Sequence, residues 1–418
     1  MARKVYIIGG AVTKFGRLID RNLKSLVKES VEEALKVAGI EKKHLQGAWV
    51  GNAAQGILQG QESIRGQVVL RDMGIGGIPV VNVENACASS ATALNGAWAM
   101  VALGEIDVAL VVGMEKMFFE DRSKSMAAFT GAMDVELLPK IMEDFAQQEE
   151  KIRKEQEAMG GGGKQKSGQR TVFMDVYATM ARKHMDTYGS TQKQLASIAA
   201  KNHFHSSMNS LAQYQQNYSV EEVLASPEVA WPLTRLMCSP IGDGAAAAVI
   251  CSEDFAKRIG ALHTVETAAT VLASGEDETG MIESTLERLA KRAYNKAGIG
   301  PNDIDLAEVH DATAFGELYV TEELGFCPQG EGGIFAAEGH TTLGGKIPVN
   351  VSGGLESQGH PVGATGIRQV VEIFWHLAGL AGKRQVEGAK VGLAQNAGGT
   401  VGGSEAALSI TILKKGRL

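Results

Sequence analysis

Cysteine is scarce in this chain and scattered: four residues in 418, at positions 87, 238, 251 and 327, with no CxxC pair. That excludes a disulfide scaffold and a structural zinc ribbon, and points to a reducing, cytoplasmic setting. An excess of positive charge is lacking too. The sum of 41 Lys+Arg and 48 Asp+Glu leaves a net charge of −7, so no global basic field is available to neutralise phosphates, and nucleic-acid binding is disfavoured. Long apolar runs are also missing. Residues 5–10 are too few for the core of a signal peptide and read as a first buried strand. The most apolar stretch, 98–114, is broken by Glu105 and Asp107, whereas a membrane span needs about 20 apolar residues. A soluble protein is expected.

Glycine, by contrast, is plentiful: 51 residues, about 12% against a usual ~7%. Without a collagen-like period, that excess predicts many tight strand-to-helix turns. At about 150 residues per domain the length predicts two or three compact units. An internal repeat sharpens this expectation. Ala38-Gly39-Ile40 recurs as Ala297-Gly298-Ile299, an offset of 297 − 38 = 259, which also carries Ser25 to Ser284, Ala34 to Ala293 and Val50 to Val309. Each copy reads as an amphipathic helix, a glycine stop, a polar turn and a strand. Ile78-Pro79-Val80 is echoed by Ile347-Pro348-Val349. The fold class is therefore α/β, with two pseudo-symmetric halves, each around its own sheet buried on both faces. Residues 118–230 are Met-rich and helical in period, and read as an insertion in the first half. Within it lie a charged helical run, 147–157, and the tract Gly160 to Gly163, which reads as a solvated loop, with a lid or a partner-docking flap beside the site as the alternative.

Four segments place reactive groups just beyond strand ends. Cys87 follows the strand-like Val80-Val81-Asn82-Val83 and precedes a helix of small residues, whose positive end is expected to lower the thiol pKa. His360 stands in the glycine-rich turn Gly359-His360-Pro361, with a helix from about Thr365, where it could take a thiol proton or bond a thioester oxygen. His310 lies in Glu308-Val309-His310-Asp311-Ala312, at a strand end that the repeat identifies. Gly398 lies in Gln395-Asn396-Ala397-Gly398-Gly399, whose amides can face an oxyanion. Strand ends of an α/β sheet converge at its carboxyl edge, where ligands bind. His203 and His205, at i and i+2 of a helix, point to different faces and make a poor metal pair.

These four segments, in this order, resemble the active-site motifs of the thiolase superfamily. Met180-Ala181-Arg182-Lys183-His184-Met185 and Gly242-Asp243-Gly244-Ala245 resemble its sterol carrier protein type branch, over residues 4–413. The resemblance implies the thiolase fold: two βαβαβαββ halves in an α-β-α-β-α stack, with residues 1–117 and 231–255 as the N-terminal half, 118–230 as an inserted loop domain, and 256–418 as the C-terminal half. It implies a β-ketoacyl-CoA thiolase that uses coenzyme A as a substrate, with no metal and no bound cofactor. Cys87 would be the acyl-accepting nucleophile and His360 its activator. His310 would form the oxyanion site for the substrate enolate, and Gly398 with the Cys87 amide a second one. A homodimer core is implied, as is a small partner subunit carrying a zinc ribbon and an OB fold.

One departure stands out. The positions where thiolases carry a second, proton-moving cysteine hold Ala312 and Asn396, neither of them an acid or base; Cys327 reads as a packed helix end. The gap favours an unusual substrate, a branched, dicarboxylic or aromatic β-ketoacyl-CoA, with the benzoylsuccinyl-CoA thiolase type as an example. Two alternatives follow from the same residues: a retro-aldolase acting on β-hydroxyacyl-CoA, and a non-catalytic scaffold subunit.

Overall fold

The computed structural model describes residues 3–119, 122–158, 170–277 and 281–416; the Gly160 to Gly163 tract lies outside them. The first half runs β1 (Val5–Val12), α1 (Leu23–Ala38), β2 (Gly47–Gly51), β3 (Val80–Val83), α2 (Ser89–Leu103) and β4 (Val108–Glu115). An inserted stretch then carries the long helices α3 (Leu138–Ala158), α4 (Val172–Tyr188) and α5 (Gln192–Ser207) before β5 (Gly244–Ser252) completes the half. The second half follows with β6 (Val265–Ala273), α6 (Thr285–Ala297), β7 (Leu306–Glu308), α7 (Ala314–Glu323), α8 (Thr365–Ala378), β8 (Val391–Val401) and β9 (Ser404–Lys415).

The repeat in the sequence is a repeat of caps. Asn22 accepts from the Ser25 amide at the start of α1, and Ser284 accepts from the Glu287 amide at the start of α6. Both helices stop on a left-handed glycine, Gly39 at φ 67° and Gly298 at φ 66°, a backbone conformation that costs glycine little.

The strands lie in the order β3-β2-β4-β5-β1-β6-β9-β8-β7. In the first half β2 is parallel to β3 and β4, while β5 runs antiparallel between β4 and β1. The second half repeats this: β7 is parallel to β8, β9 runs antiparallel between β8 and β6, and a parallel bridge from Ala307 to Val349 stands where β3 pairs in the first half. The sequence suggested a separate sheet for each half. The two half-sheets instead meet edge to edge where Tyr6 pairs with Glu266 and Ile7 with Val265, which gives β1 and β6 partners for backbone groups that an open edge would leave unpaired.

Helices cover both faces. One core joins α1 to β1, β4 and β5, and another joins α6 to β6, β8 and β9. The third lies between the halves, where Leu94 and Val101 of α2 meet Ile367, Val371 and Phe374 of α8. Small residues set this middle layer. A Cβ on Gly113 would lie 2.7 Å from the Gly363 carbonyl oxygen and 2.8 Å from Ala364 Cα, so only glycine lets β4 touch the turn before α8. The first turns of α2 and α8 lie side by side, with the Ile367 amide donating to Ser90 Oγ at 3.0 Å.

The insertion sits where the second half makes a two-residue turn, Gly402-Gly403, between β8 and β9. Its two ends are fastened by Asp243, which accepts from Lys116 Nζ at 2.6 Å and from the Met117 and Phe118 amides at 2.7 and 2.8 Å. Its core, including Leu195 and Ala199, continues into Phe315 and Leu318 of α7, so it rests on the second half. Leu233, Met237 and Cys238 belong to that core; residues 231–238, placed with the N-terminal half by the sequence, pack with the insertion because their apolar side chains face α5.

Candidate active site

The chain leaves β3 at Val83, makes one tight turn over Ala86–Ala88 and enters α2 at Ser89. Ala86 at the head of that turn is left-handed, φ 47°, with its amide held by Glu84 at 2.7 Å. This turns Cys87 into the lining of a cavity. From the other half, the turn at Gly359, φ 109°, brings His360 Nε2 to 3.3 Å from Cys87 Sγ. Thr365 lies behind the ring. Its hydroxyl donates to the Pro361 carbonyl at 3.1 Å and lies 2.7 Å from His360 Nδ1. With its own proton committed, Thr365 accepts, so Nδ1 of His360 carries the hydrogen and Nε2 offers its lone pair to the thiol.

His310 stands two residues beyond β7. The register that pairs Ala394 with Glu308 brings Asn396 level with it, and Asn396 Nδ2 lies 3.1 Å from His310 Nδ1. The His310 amide is held by Gln395 Oε1 at 3.0 Å, and its ring meets that of His360 edge-on at 5.3 Å between centroids. Gly398 presses on the nucleophile's turn: a Cβ there would lie 2.6 Å from the Ala88 nitrogen and 2.9 Å from that of Cys87. The backbone amides acting on the Cys87 sulfur are its own and that of Gly399, the neighbour of Gly398 in the same segment.

The expected low thiol pKa is overturned. Burial pushes the Cys87 thiol up to about 12 and the nearby Glu115 charge adds to the rise; the two amides offset only part of it. Burial likewise pushes His310 down to about 3 and holds His360 well below the ordinary imidazole range, with the Arg368 guanidinium opposing a second positive charge on either ring. The resting site is thus a neutral thiol beside two neutral imidazoles. A proton must leave sulfur as the sulfur attacks, which is general-base catalysis rather than attack by a preformed thiolate.

Several supporting groups carry no sequence motif. Glu115, at the end of β4, accepts from Asn52 Nδ2 at 2.8 Å and from the Ala53 and Gly363 amides, both at 3.0 Å, yet burial raises its pKa to about 7. Arg368, fully buried on α8, binds Glu308 and donates to Ser352 Oγ at 2.7 Å. Below the His310 turn, Asn202 of α5 donates to Asp311 at 3.2 Å, Glu317 at 3.0 Å and Glu356 at 2.9 Å, while Lys201 pairs with Glu317. Burial holds both Asp311 and Glu356 well above the usual carboxylate range, helped by the Glu317 charge at Asp311 and by the Asp311 charge at Glu356.

The remaining candidates lie apart. His203 bonds Ser357 and the Leu236 carbonyl, and His205 bonds the Asn350 carbonyl and the Leu343 amide, so each is committed to a different neighbour. Cys327 is half-buried and lies outside the cavity lining. Cys87 Sγ and nitrogens of His310 and His360 lie within 4.8 Å of one another. That spacing suits a thiophilic cation, and the same atoms already form a thiol–imidazole pair.

The cavity has a volume of about 330 Å³, and Cys87, Ala312, His310, His360 and Gly398 all line it. Its walls are apolar, from Ile57 and from Phe129, Phe173, Met174 and Val176 of the insertion. Among the described residues, Glu62, Glu84, Glu405 and Arg65 also line it.

Comparison with known proteins adds three relatives and one solved structure. The thiolase N-terminal domain model matches residues 5–254 and the thiolase C-terminal domain-like model residues 268–413. An acetyl-CoA acetyltransferase of Methanothermobacter thermautotrophicus is 38% identical over 405 residues, 96% of this chain and 97% of that protein. Sterol carrier protein 2 of Bos taurus is 35% identical over 431 residues, 100% of this chain and 73% of its own length. Benzoylsuccinyl-CoA thiolase subunit BbsB of Thauera aromatica is 35% identical over 378 residues, 88% of each chain. Among solved structures, an Ltp2-ChsH2(DUF35) aldolase superposes with a TM-score of 0.78 at 23% identity, covering 100% of this chain and 99% of that one, a likeness of fold.

Proposed function

The chain belongs to the thiolase family and is an acyltransferase of that type; on that premise we propose that it cleaves or forms a carbon–carbon bond through a Cys87 acyl-enzyme, with coenzyme A as acyl acceptor. The observation that carries this reading is the 3.3 Å approach of His360 Nε2 to Cys87 Sγ, with Thr365 holding the base tautomer. In the cleavage direction, His360 takes the thiol proton as sulfur attacks the β-carbonyl carbon. The bond from that carbon to the α-carbon then breaks. The acyl group stays on sulfur, and the departing thioester leaves as an enolate whose oxygen His310 holds. The proton its α-carbon needs equals the one Cys87 gave up, and His360 is the carrier. A second thiol is therefore not required by the balance of atoms, which accounts for Ala312 and Asn396. Coenzyme A next donates its thiol proton to His360, takes the acyl group, and Cys87 regains its proton. Gly398 and the Cys87 amide would face the tetrahedral oxygen in both acyl-transfer steps.

The apolar walls of the cavity favour an uncharged, aromatic or branched acyl group on Cys87 over a dicarboxylic one. Relatedness to the benzoylsuccinyl-CoA thiolase subunit supports an aromatic group. That relative's designation as a subunit, and the DUF35 partner in the aldolase neighbour's name, support a small partner for this chain as well. Strand β3, at the edge of the sheet among the described residues and with Val81 40% exposed, supports a homodimer joined along that edge. Four free thiols suit the cytoplasm. A retro-aldol cleavage releases an aldehyde or ketone and no acyl group that sulfur could take up, so it would leave Cys87 without a covalent role.

The test is intact-protein mass spectrometry after incubation with a panel of acyl- and β-ketoacyl-CoAs. An acyl mass is expected on the wild type, absent in Cys87→Ala and removed by free coenzyme A. Substrate cleavage that persists in Cys87→Ala rejects the mechanism.

A further inference from the structure

Two histidines meet at this site, and they need opposite protonation patterns to do different work. For His360 the pattern follows from Thr365. For His310, we infer that Asn396 is a positioning residue that locks the ring in its Nε2–H tautomer, making His310 a hydrogen-bond donor to the substrate oxyanion and denying it the role of a base. The inference rests on the thiolase reading and deepens it.

The geometry is direct. Asn396 Nδ2 approaches His310 Nδ1 at 3.1 Å; an amide NH₂ only donates, so Nδ1 must accept and the ring hydrogen must sit on Nε2. In this orientation Asn396 Oδ1 is buried without a partner. This orientation gives the donor Nδ2 a partner and leaves the acceptor Oδ1 unpaired, and an orphaned buried N–H is the costlier defect. Asn396 is 2% exposed and His310 5%, so water is not at hand to blur the choice. The backbone is pinned as well, since the neighbouring Gln395 holds the His310 amide at 3.0 Å while Gln369 Nε2 donates to the Gln395 carbonyl at 2.9 Å. With Nδ1 occupied from behind, Nε2 is the nitrogen left to face the cavity that His310 lines. The two rings meet edge-on from separate turns, and each receives its tautomer from a neutral side chain behind it: a hydroxyl for the base and an amide for the donor. Asn396 is thus more than an empty place for a thiol.

Neutron diffraction from deuterium-exchanged crystals of the full-length protein reads this without any turnover. Deuterium is expected on Nε2 of His310 and on Nδ1 of His360; deuterium on Nδ1 of His310 overturns the proposal. The companion variant is Asn396→Leu, which removes the donor at similar volume. Carbon–carbon cleavage should fall on the order of 10²–10³-fold in kcat, as when an oxyanion donor is lost. Transfer of an acyl group from a simple acyl-CoA to Cys87, which does not form the enolate, should persist by mass spectrometry. Equal loss of both reactions, or loss of neither, overturns the assignment. If the wild type forms no acyl-enzyme with any thioester, the thiolase reading fails while the neutron result still decides the tautomer.

Discussion

A single hydroxyl separates a working base from an idle one at His360. Replacing Thr365 by Val keeps the shape of the helix start and removes the acceptor at Nδ1, so the ring is free to carry its proton on the nitrogen that faces sulfur. We expect kcat to fall about 10²-fold with unchanged circular dichroism; unchanged turnover would remove Thr365 from the mechanism. Which residues were legible beforehand follows from how each acts. Cys87, His310, His360 and Gly398 each sit just past a strand-like run, a signal local to the chain. Thr365 and Glu115 gave no such signal. A threonine at a helix start reads as a cap, and Glu115 meets the Gly363 amide across 248 residues. The thiol pKa was misjudged for a related reason: a helix end is visible in sequence, whereas the burial and the Glu115 charge that outweigh it are not.

At the scale of elements, contacts between glycine and backbone set where the reactive turns sit. Gly113→Ala would drive a methyl group into Gly363 and Ala364, both of them backbone neighbours with no side chain to rotate away. A cost of about 1–3 kcal/mol in stability is expected, together with a loss of turnover as the His360 turn shifts. Thermal unfolding and kcat measured on the same preparation check both; unaltered values in each would mean that the turn yields freely. The repeated helix, glycine stop and strand were readable because caps and periodicity are properties of short segments. The reach of the insertion was not. Leu233, Met237 and Cys238 share a core with α5 and α7, a contact that no local pattern in the sequence marks.

For the whole molecule, Glu115 links the end of β4, the turn after β2 and the turn before α8 through one carboxylate. Its pKa of about 7 in the fold lies above its ordinary 4.5, so between those values the native state keeps a proton that the unfolded chain has lost. Stability falls as pH rises through this window, by about 3 kcal/mol for a gap of this size. Chemical denaturation at pH 4.5 and at pH 7 should show the fall in the wild type, and Glu115→Gln should lose this part of the slope whatever its absolute stability. An identical slope in the variant would place the titration elsewhere. The pairing of α2 with α8 has a consequence of another kind. Each helix directs the positive end of its dipole, about half a charge, toward the same small volume, one bringing the nucleophile's turn and the other the base's. Neither half holds a complete reaction centre. A half-length ancestor with this topology could have assembled one only by pairing with its own copy, so the present chain behaves as a tethered twin whose two members have since divided the labour of attack and proton transfer.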